Sequence, residues 1–511
     1  MNSWNEGYFT DSAYTYGYYR EQSPHFMRWC LTLKGFVAPD VDDGRHCELG
    51  IGQGLSANIH AAATAGKFFG TDFNPAHAAG ARTMAAASGA DANFFEDSFE
   101  EFANRDDLPQ FDSITFHGIW SWVSDENREH ILEIIRRHLK SGGMVYNSYN
   151  CLPGWAPNAP LRELLKLHDS YHVGGGIDER VKSALNFIEE MINAKPAYLN
   201  IAPKFVDRFE ELKKHDPHYV AHEYFNDIWI LPYFKDVAEQ FRNYKLDFAA
   251  SALPVETFSE LGLTEEAREF FKKIFDPIVR EQIRDYFINR QFRKDIFVRG
   301  LRRLSPYETY EKILGTRYVL TKFAADVPLK ITTSVAEVNL SEEIYPPLLE
   351  FLQEENFRPK TMVEYLQRHP EKKPQELVEA VTFLVDANHV LPCQSDATVK
   401  RVKKSCDKLN AYICERAKFN EEINFLASPL TGMGVNVNRI HQLFLPAAKA
   451  GEKSADKLAA AAWEILSRQG QRMVLDGKKI EEPEENIAQL KKLAEEFLSK
   501  ALPIYKALQL Q

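Results

Sequence analysis

The stretch Cys47-Glu48-Leu49-Gly50-Ile51-Gly52-Gln53-Gly54 sets an acidic side chain ahead of three alternating glycines. Without Cβ atoms, a backbone can turn sharply and come close to a ligand. Residues 55–66 read as a helix, so its N-terminal amides point at the same place. Glu48 stands where a bound cation or amine would lie. Two cofactor chemistries fit such a loop. One is S-adenosylmethionine (SAM). The other is a dinucleotide, since Gly52-Gln53-Gly54-Leu55-Ser56-Ala57 also has the form G-x-G-x-x-A. A tight strand-helix turn without a ligand is the third reading.

Other residues with usable chemistry follow at matching places. Asp72 closes the next strand, one strand-helix-strand unit after Glu48, where a carboxylate can accept both ribose hydroxyls. Asp97 follows the third strand, where it meets an adenine amino group or simply caps a helix. Ser98 and Glu101 beside it form a capping box. His117-Gly118-Ile119-Trp120-Ser121-Trp122 and Tyr149-Asn150-Cys151-Leu152-Pro153-Gly154-Trp155 fall at the carboxyl ends of later strands, the end at which open α/β sheets bind ligands. For Trp122 and Trp155, packing beneath a second domain explains the rings equally well. Ahead of the loop, residues 8–36 hold Tyr8, Phe9, Tyr14, Tyr16, Tyr18, Tyr19, Phe26, Trp29 and Phe36. Tyr16-Gly17-Tyr18-Tyr19 is the candidate lid, with covering of a sheet edge as the competing role.

Positioning these residues requires a regular scaffold. Strands are expected over 45–49, 67–73, 92–96, 111–117 and 144–149, alternating with helices. Asn74-Pro75 and Ser124 mark two of the helix starts. Such alternation predicts an α/β, doubly wound, Rossmann-like parallel sheet. Beyond Trp155 the chain turns helical, with Gly174-Gly175-Gly176 as a break or hinge and a strand expected over 246–251. Residues 279–303 carry eight basic against three acidic side chains, which reads as an acidic-substrate surface or as a solvated helix face. Two short strands (317–323, 329–333), three helices (340–355, 361–369, 374–388) and Val390-Leu391 suit a winged-helix-like module, which binds DNA or proteins. Its last helix has Glu376, Glu379 and Asp386 and no lysine or arginine, which disfavours phosphate contact. Residues 401–511 read as helical.

The chain has 511 residues, enough for two to four domains, with 44% hydrophobic residues and a net charge of −11. An acidic balance argues against a general nucleic-acid binder. The six cysteines form no C-x-x-C pair, so neither a zinc site nor a disulfide framework is expected. No run approaches the ~20 apolar residues of a membrane span. A soluble cytoplasmic protein without metal is the expectation.

Several stretches together carry a family resemblance: Tyr16-Gly17-Tyr18-Tyr19, the Glu48 to Gly54 loop, Thr71-Asp72-Phe73-Asn74-Pro75-Ala76-His77, residues 117–123, Ser148 to Trp155, His222-Glu223-Tyr224, and Gln291-Phe292-Arg293-Lys294-Asp295-Ile296-Phe297-Val298-Arg299-Gly300. The chain resembles bacterial class I SAM-dependent methyltransferases that carry a methyltransferase regulatory domain. Rickettsial lysine methyltransferases of outer-membrane proteins share that architecture. Gln53 departs from the small residue common in such loops. The resemblance implies SAM in contact with Tyr18, Tyr19, Glu48, Gly50, Gly52, Gly54, Asp72, Asp97, Ser98 and His117. With the helix and strand pattern above, the expected domains are 1–210 (methyltransferase with aromatic lid), 211–325 (regulatory), 326–400 (winged-helix-like) and 401–511 (helical), the resemblance covering about 10–310 well and the rest loosely. Methyl transfer to lysine side chains of a protein substrate is the expected activity, with an outer-membrane or surface protein before export as one partner. His117, Trp120, Tyr149 and Asn150 are the candidates for holding the acceptor amine or taking its proton. A small-molecule or polysaccharide methyltransferase and a non-catalytic SAM-binding regulator remain as alternatives, and a homodimer is open.

Overall fold

Seven strands form one twisted sheet: β1 (Arg45–Leu49), β2 (Lys67–Thr71), β3 (Ala92–Phe95), β4 (Phe111–His117), β5 (Leu139–Asn150), β6 (Leu246–Ser251) and β7 (Phe292–Arg299). The computed structural model describes residues 15–172, 174–333, 336–475 and 477–510. The strand order is β3-β2-β1-β4-β5-β7-β6. β1 to β5 pair in parallel, as their alternation with helices predicts, and β7 enters antiparallel between β5 and β6. Five helices complete the first half: α1 (Pro24–Leu33), α2 (Leu55–Ala63), α3 (Pro75–Ser88), α4 (Phe99–Ala103) and α5 (Asp125–His138). Their starts follow local chemistry. The Asn74 side chain accepts from Ala76 N with Pro75 in the first turn, Ser98 and Glu101 form the capping box, and Ser124 accepts from Asn127 N.

β5 is buried on both faces, and successive side chains divide between two cores. Met144 and Tyr146 join one cluster with Ile296 and Val298 of β7, while Val145 and Tyr149 join the other with Phe297. β6 and β7 both come from the span 211–325, so that span shares its sheet with the first 150 residues.

The basic run 279–303 is not one exposed surface: Arg302 and Arg303 face solvent, but three arginines before them turn inward to carboxylates. Arg284, Arg290 and Arg293 are buried. Arg293 binds Asp295 (2.9 Å), Asp285 (2.6 Å) and Glu281 (3.3 Å), and Arg290 binds Glu256. The run also contains β7, which the charge pattern concealed, because the arginines find carboxylates inside the protein.

Residues 317–392 form a small sheet in which Arg317–Leu320 pairs antiparallel with both Lys360–Thr361 and Val390–Pro392. The helix Pro374–Asp386 buries Leu377, Val381, Phe383 and Leu384. Phe383 stacks on Phe258 at 5.7 Å, and Arg20 donates to the carbonyls of Val385 (2.7 Å) and Asp386 (2.8 Å). This helix is thus packed into the chain rather than presented to a groove. Further on, the helix Asp396–Arg416 lies across α2 and α3. Ser405 Oγ donates to Ala62 O (2.6 Å) and Gln394 Nε2 to Ala63 O (2.8 Å). All nine residues of α2 are consequently buried. No helix among the described residues is long and apolar enough to cross a membrane.

Candidate active site

A cavity opens at the carboxyl ends of β1, β2 and β4, where the glycine loop, Asp72, Asp97, Ser98 and His117 converge. The loop conformation depends on its glycines at two places in particular. Gly50 (φ +69°) would press a Cβ to 2.5 Å from Ile119 Cδ1, and Gly54 (φ +74°) to 2.5 Å from Ala81 Cβ. Packing between the loop, α3 and the tip of β4 therefore demands glycine as much as any ligand does.

Asp72 holds the loop from behind. Its Oδ2 accepts from Gly52 N (2.8 Å), and its Oδ1 accepts from Asn74 N (3.0 Å) and meets His77 Nδ1 (3.1 Å). One carboxylate thus joins the glycine loop to the start of α3. Asp97 is not the cap of α4, since Ser98 fills that role; it lines the cavity and pairs with Arg105 at 3.0 Å. Arg105 in turn lies over the Phe95 ring.

Glu48 is buried and has no ion pair among the described residues. Burial raises its carboxyl to about 8, helped by nearby Asp72 and opposed by a hydrogen bond from Gln22. Gln22 Oε1, in the same wall, is buried and unpartnered. A buried acid without a counter-charge beside a free acceptor fits the ammonium-bearing end of SAM. Binding of such a cation favours the carboxylate, so a group about nine-tenths protonated at pH 7 must give up its proton. Affinity is then expected to rise as pH approaches about 8 and to fall again where the ligand's own ammonium loses its proton. Calorimetry in two buffers of different ionisation heat should read close to one proton released at pH 7 and distinctly fewer as pH rises toward 8. Glu48→Gln should abolish the difference; an unchanged proton count in that variant would refute the assignment.

His117 lines the cavity with its ring stacked on Tyr19 at 3.6 Å. Its Nδ1 lies 2.9 Å from Tyr146 Oη and 3.0 Å from Ser148 Oγ. Burial lowers its pKa to about 3, so the imidazole is neutral and is not a store for an acceptor's proton at pH 7.

Four expected site residues do not line the cavity. Trp120 is buried in the core against Phe116 and Phe241. Tyr149 points to the other side of β5, where its hydroxyl donates to Asp295 Oδ2 at 2.7 Å. Asn150 is buried, its backbone exchanging hydrogen bonds with Ser121 Oγ. Tyr18 turns away from the cavity and accepts a hydrogen bond from Gly434 N at 2.6 Å. In each case the adjacent residue or the strand's alternation decides the direction. Trp122 and Tyr19 face the cavity where Trp120 and Tyr18 do not. Tyr8, Phe9 and Tyr14 lie outside the described residues.

Sequence reading missed Thr15, Gln22, Phe99, Asn127 and Ile228 in the wall. Phe99 and Asn127 sit in first turns that were themselves expected, so their proximity was within reach. Ile228 comes from a distant segment and carries no local signal. It brings Trp229, which stacks on Trp122 (6.2 Å) and meets Trp155 edge-on (5.4 Å). Trp155 itself packs behind this wall.

The sheet order, the glycine loop and the acidic residue at the end of β2 define a Rossmann-like SAM-dependent methyltransferase. Comparison with known proteins agrees. A methyltransferase domain family matches residues 47–143, and a predicted methyltransferase regulatory domain family matches residues 216–299. An uncharacterized protein of Synechocystis sp. is 38% identical over 508 residues, 98% of each chain. An uncharacterized protein of Rickettsia prowazekii is 26% identical over 281 residues, 54% of this chain and 49% of its own. PKMT2 from Rickettsia typhi in complex with AdoHcy has a TM-score of 0.69 at 18% identity, over 94% of this chain and 98% of that one, a likeness of fold. The chain belongs to the SAM-dependent methyltransferases that carry a methyltransferase regulatory domain, and SAM is its cofactor.

Proposed function

We propose that this methyltransferase modifies lysine side chains of a protein substrate. The observation that carries the reading is the aromatic and apolar part of the cavity's lining, Trp122, Val123, Ile119 and Ile228, with Trp229 backing Trp122. Whole-chain likeness in fold to PKMT2 supports it.

Bound SAM supplies an activated methyl group on a sulfonium. The chain's own residues have three tasks. In this reading Glu48 holds the cofactor's amine, the Asp72 carboxylate beside the glycine loop holds the ribose end, and Asp97 and Ser98 meet the adenine. Tyr19, stacked on His117, closes one side of the cavity against water. The third task is presentation of the acceptor. A lysine must shed its proton from a group whose unperturbed pKa is about 10.4. His117 does not hold that proton; the ring faces steady the ammonium as it enters, desolvation against the apolar lining lowers its pKa, and the proton passes to solvent before the neutral amine takes the methyl group.

Incubation of the full chain with methyl-labelled SAM and bacterial fractions tests this. Label on lysine side chains of protein, lost in Asp72→Ala and reduced about tenfold or more in Trp122→Ala, is the expected outcome. Label found only in glycan or low-mass material would overturn the lysine reading.

A further inference from the structure

The segment Thr15 to Tyr19 divides its side chains between two masters. Thr15, Gly17 and Tyr19 line the cavity. Tyr16 and Tyr18 face the other way, into the core that the C-terminal region shares. On the cavity side, Tyr19 N donates to Ser56 Oγ (2.9 Å) at the start of α2, and Ser56 Oγ donates to Gly17 O at 3.4 Å. A Cβ at Gly17 would lie 2.6 Å from Tyr19 Oη, so a side chain there would displace the Tyr19 ring. On the far side, the Tyr18 ring lies 4.7 Å from Phe425 and 5.4 Å from His60. Its hydroxyl accepts from Gly434 N (2.6 Å) and lies 3.3 Å from His60 Nε2. Burial raises the Tyr18 phenol above its ordinary range, so it stays a neutral hydroxyl. Tyr16 takes the guanidinium of Arg416 over its ring at 5.3 Å. Phe425 and Gly434 belong to a hairpin (Phe425–Ser428 with Met433–Asn436), and Arg416 ends the long helix that covers α2.

We propose that Tyr18 is a positioning residue for the cofactor site: seated on the hairpin Phe425–Asn436, it fixes the strap 15–19 over the cavity, so that the C-terminal region sets how tightly SAM is held. The proposal rests on the placement of SAM in this cavity. No atom of the hairpin needs to touch the cofactor. Whatever shifts the hairpin by an ångström shifts Tyr19 and Gly17, because the strap between its two anchor rows is too short to absorb the movement. The C-terminal 110 or so residues thereby act on an event at the opposite surface of α2.

Gly434 offers a probe from outside the cavity. A Cβ at this position would meet the Tyr18 ring at 2.8 Å, and the residue lies in a strand that accepts a branched side chain. Gly434→Val therefore unseats Tyr18 from behind, and Tyr18→Phe removes only the hydroxyl that Gly434 N needs. Binding of S-adenosylhomocysteine is measured by calorimetry, amide exchange is followed over 15–19, and thermal melts report folding. In both variants, exchange at 15–19 is expected to quicken and the Kd to rise about fivefold or more, the scale of one lost buried hydrogen bond. Turnover at saturating SAM should stay within about twofold, which a general loss of folding would not produce. Unchanged Kd in both variants, whether or not exchange quickens, overturns the proposal. Failure of S-adenosylhomocysteine to slow exchange at 15–19 in the unaltered chain would instead refute the placement of the cofactor, and the proposal with it.

Discussion

Replacing Asp72 with alanine is expected to weaken SAM binding by at least about a hundredfold, because the lost carboxylate serves the protein as well as the ligand. Two of its hydrogen bonds hold backbone amides, Gly52 N in the glycine loop and Asn74 N before α3, and a third contact orients His77. A hydrogen bond to a charged group is worth about 1.5–3 kcal/mol. The loop residue Gly52 also sits at φ +53°, a conformation the amide's bond to Asp72 helps to hold. Without the carboxylate, Gly52 and Asn74 are left unpaired and the loop is released from α3 before any contact to ribose is counted. Asp72→Asn keeps one acceptor oxygen and should fall between the two, near about tenfold. Calorimetric titration with S-adenosylhomocysteine, alongside amide exchange at Gly52, separates the two contributions. An alanine variant that binds within threefold of the unaltered chain would remove Asp72 from both roles.

Arg293→Ala should cost about 3–5 kcal/mol of stability, the usual consequence of deleting one partner from a buried charge cluster. The guanidinium binds Asp295 through Nε, Asp285 through Nη1 and Glu281 through Nη2, and lies 3.9 Å from the Phe234 ring centroid. Its removal leaves Asp285 and Asp295, both buried, without that cation. Burial already raises Asp285 to about 6, against the pull of Arg293 and Arg290. In the variant that acid should rise further, so the penalty grows as pH rises through its raised pKa and shrinks as pH falls and the carboxyl takes up a proton. Arg293→Lys supplies one compact charge for three acceptors and should recover only part of the loss. Thermal melts at pH 5.5 and 8 read the sign directly; a loss that grows toward acid pH would contradict the cluster's arrangement. The effect should reach the sheet as a whole, since Asp295 also takes the hydroxyl of Tyr149 on β5 and so ties β7 to its neighbour.

What the sequence determined by itself was local. The capping box of Ser98 and Glu101, the Asn74-Pro75 helix start and the alternation of five strands with helices each depend on a few consecutive residues. Backbone chemistry over four to eight residues suffices to set them. The cavity's floor was legible for the same reason, since glycine spacing and an acid at a strand end are properties of single turns.

Direction and partnership were decided only by the tertiary structure. Tyr18 and Tyr19 are chemically identical neighbours, yet one anchors a hairpin more than four hundred residues away and the other stacks on His117. Trp120 fills the core while Trp122 walls the cavity. Within the basic run 279–303, Arg290 and Lys294 looked like surface until folding brought Glu256 and Glu21, from distant parts of the chain, to them. A charge is buried or exposed according to whether a counter-charge arrives, and a ring faces core or ligand according to a backbone angle set by packing. Both are properties of contacts between distant segments, which no window of the chain contains.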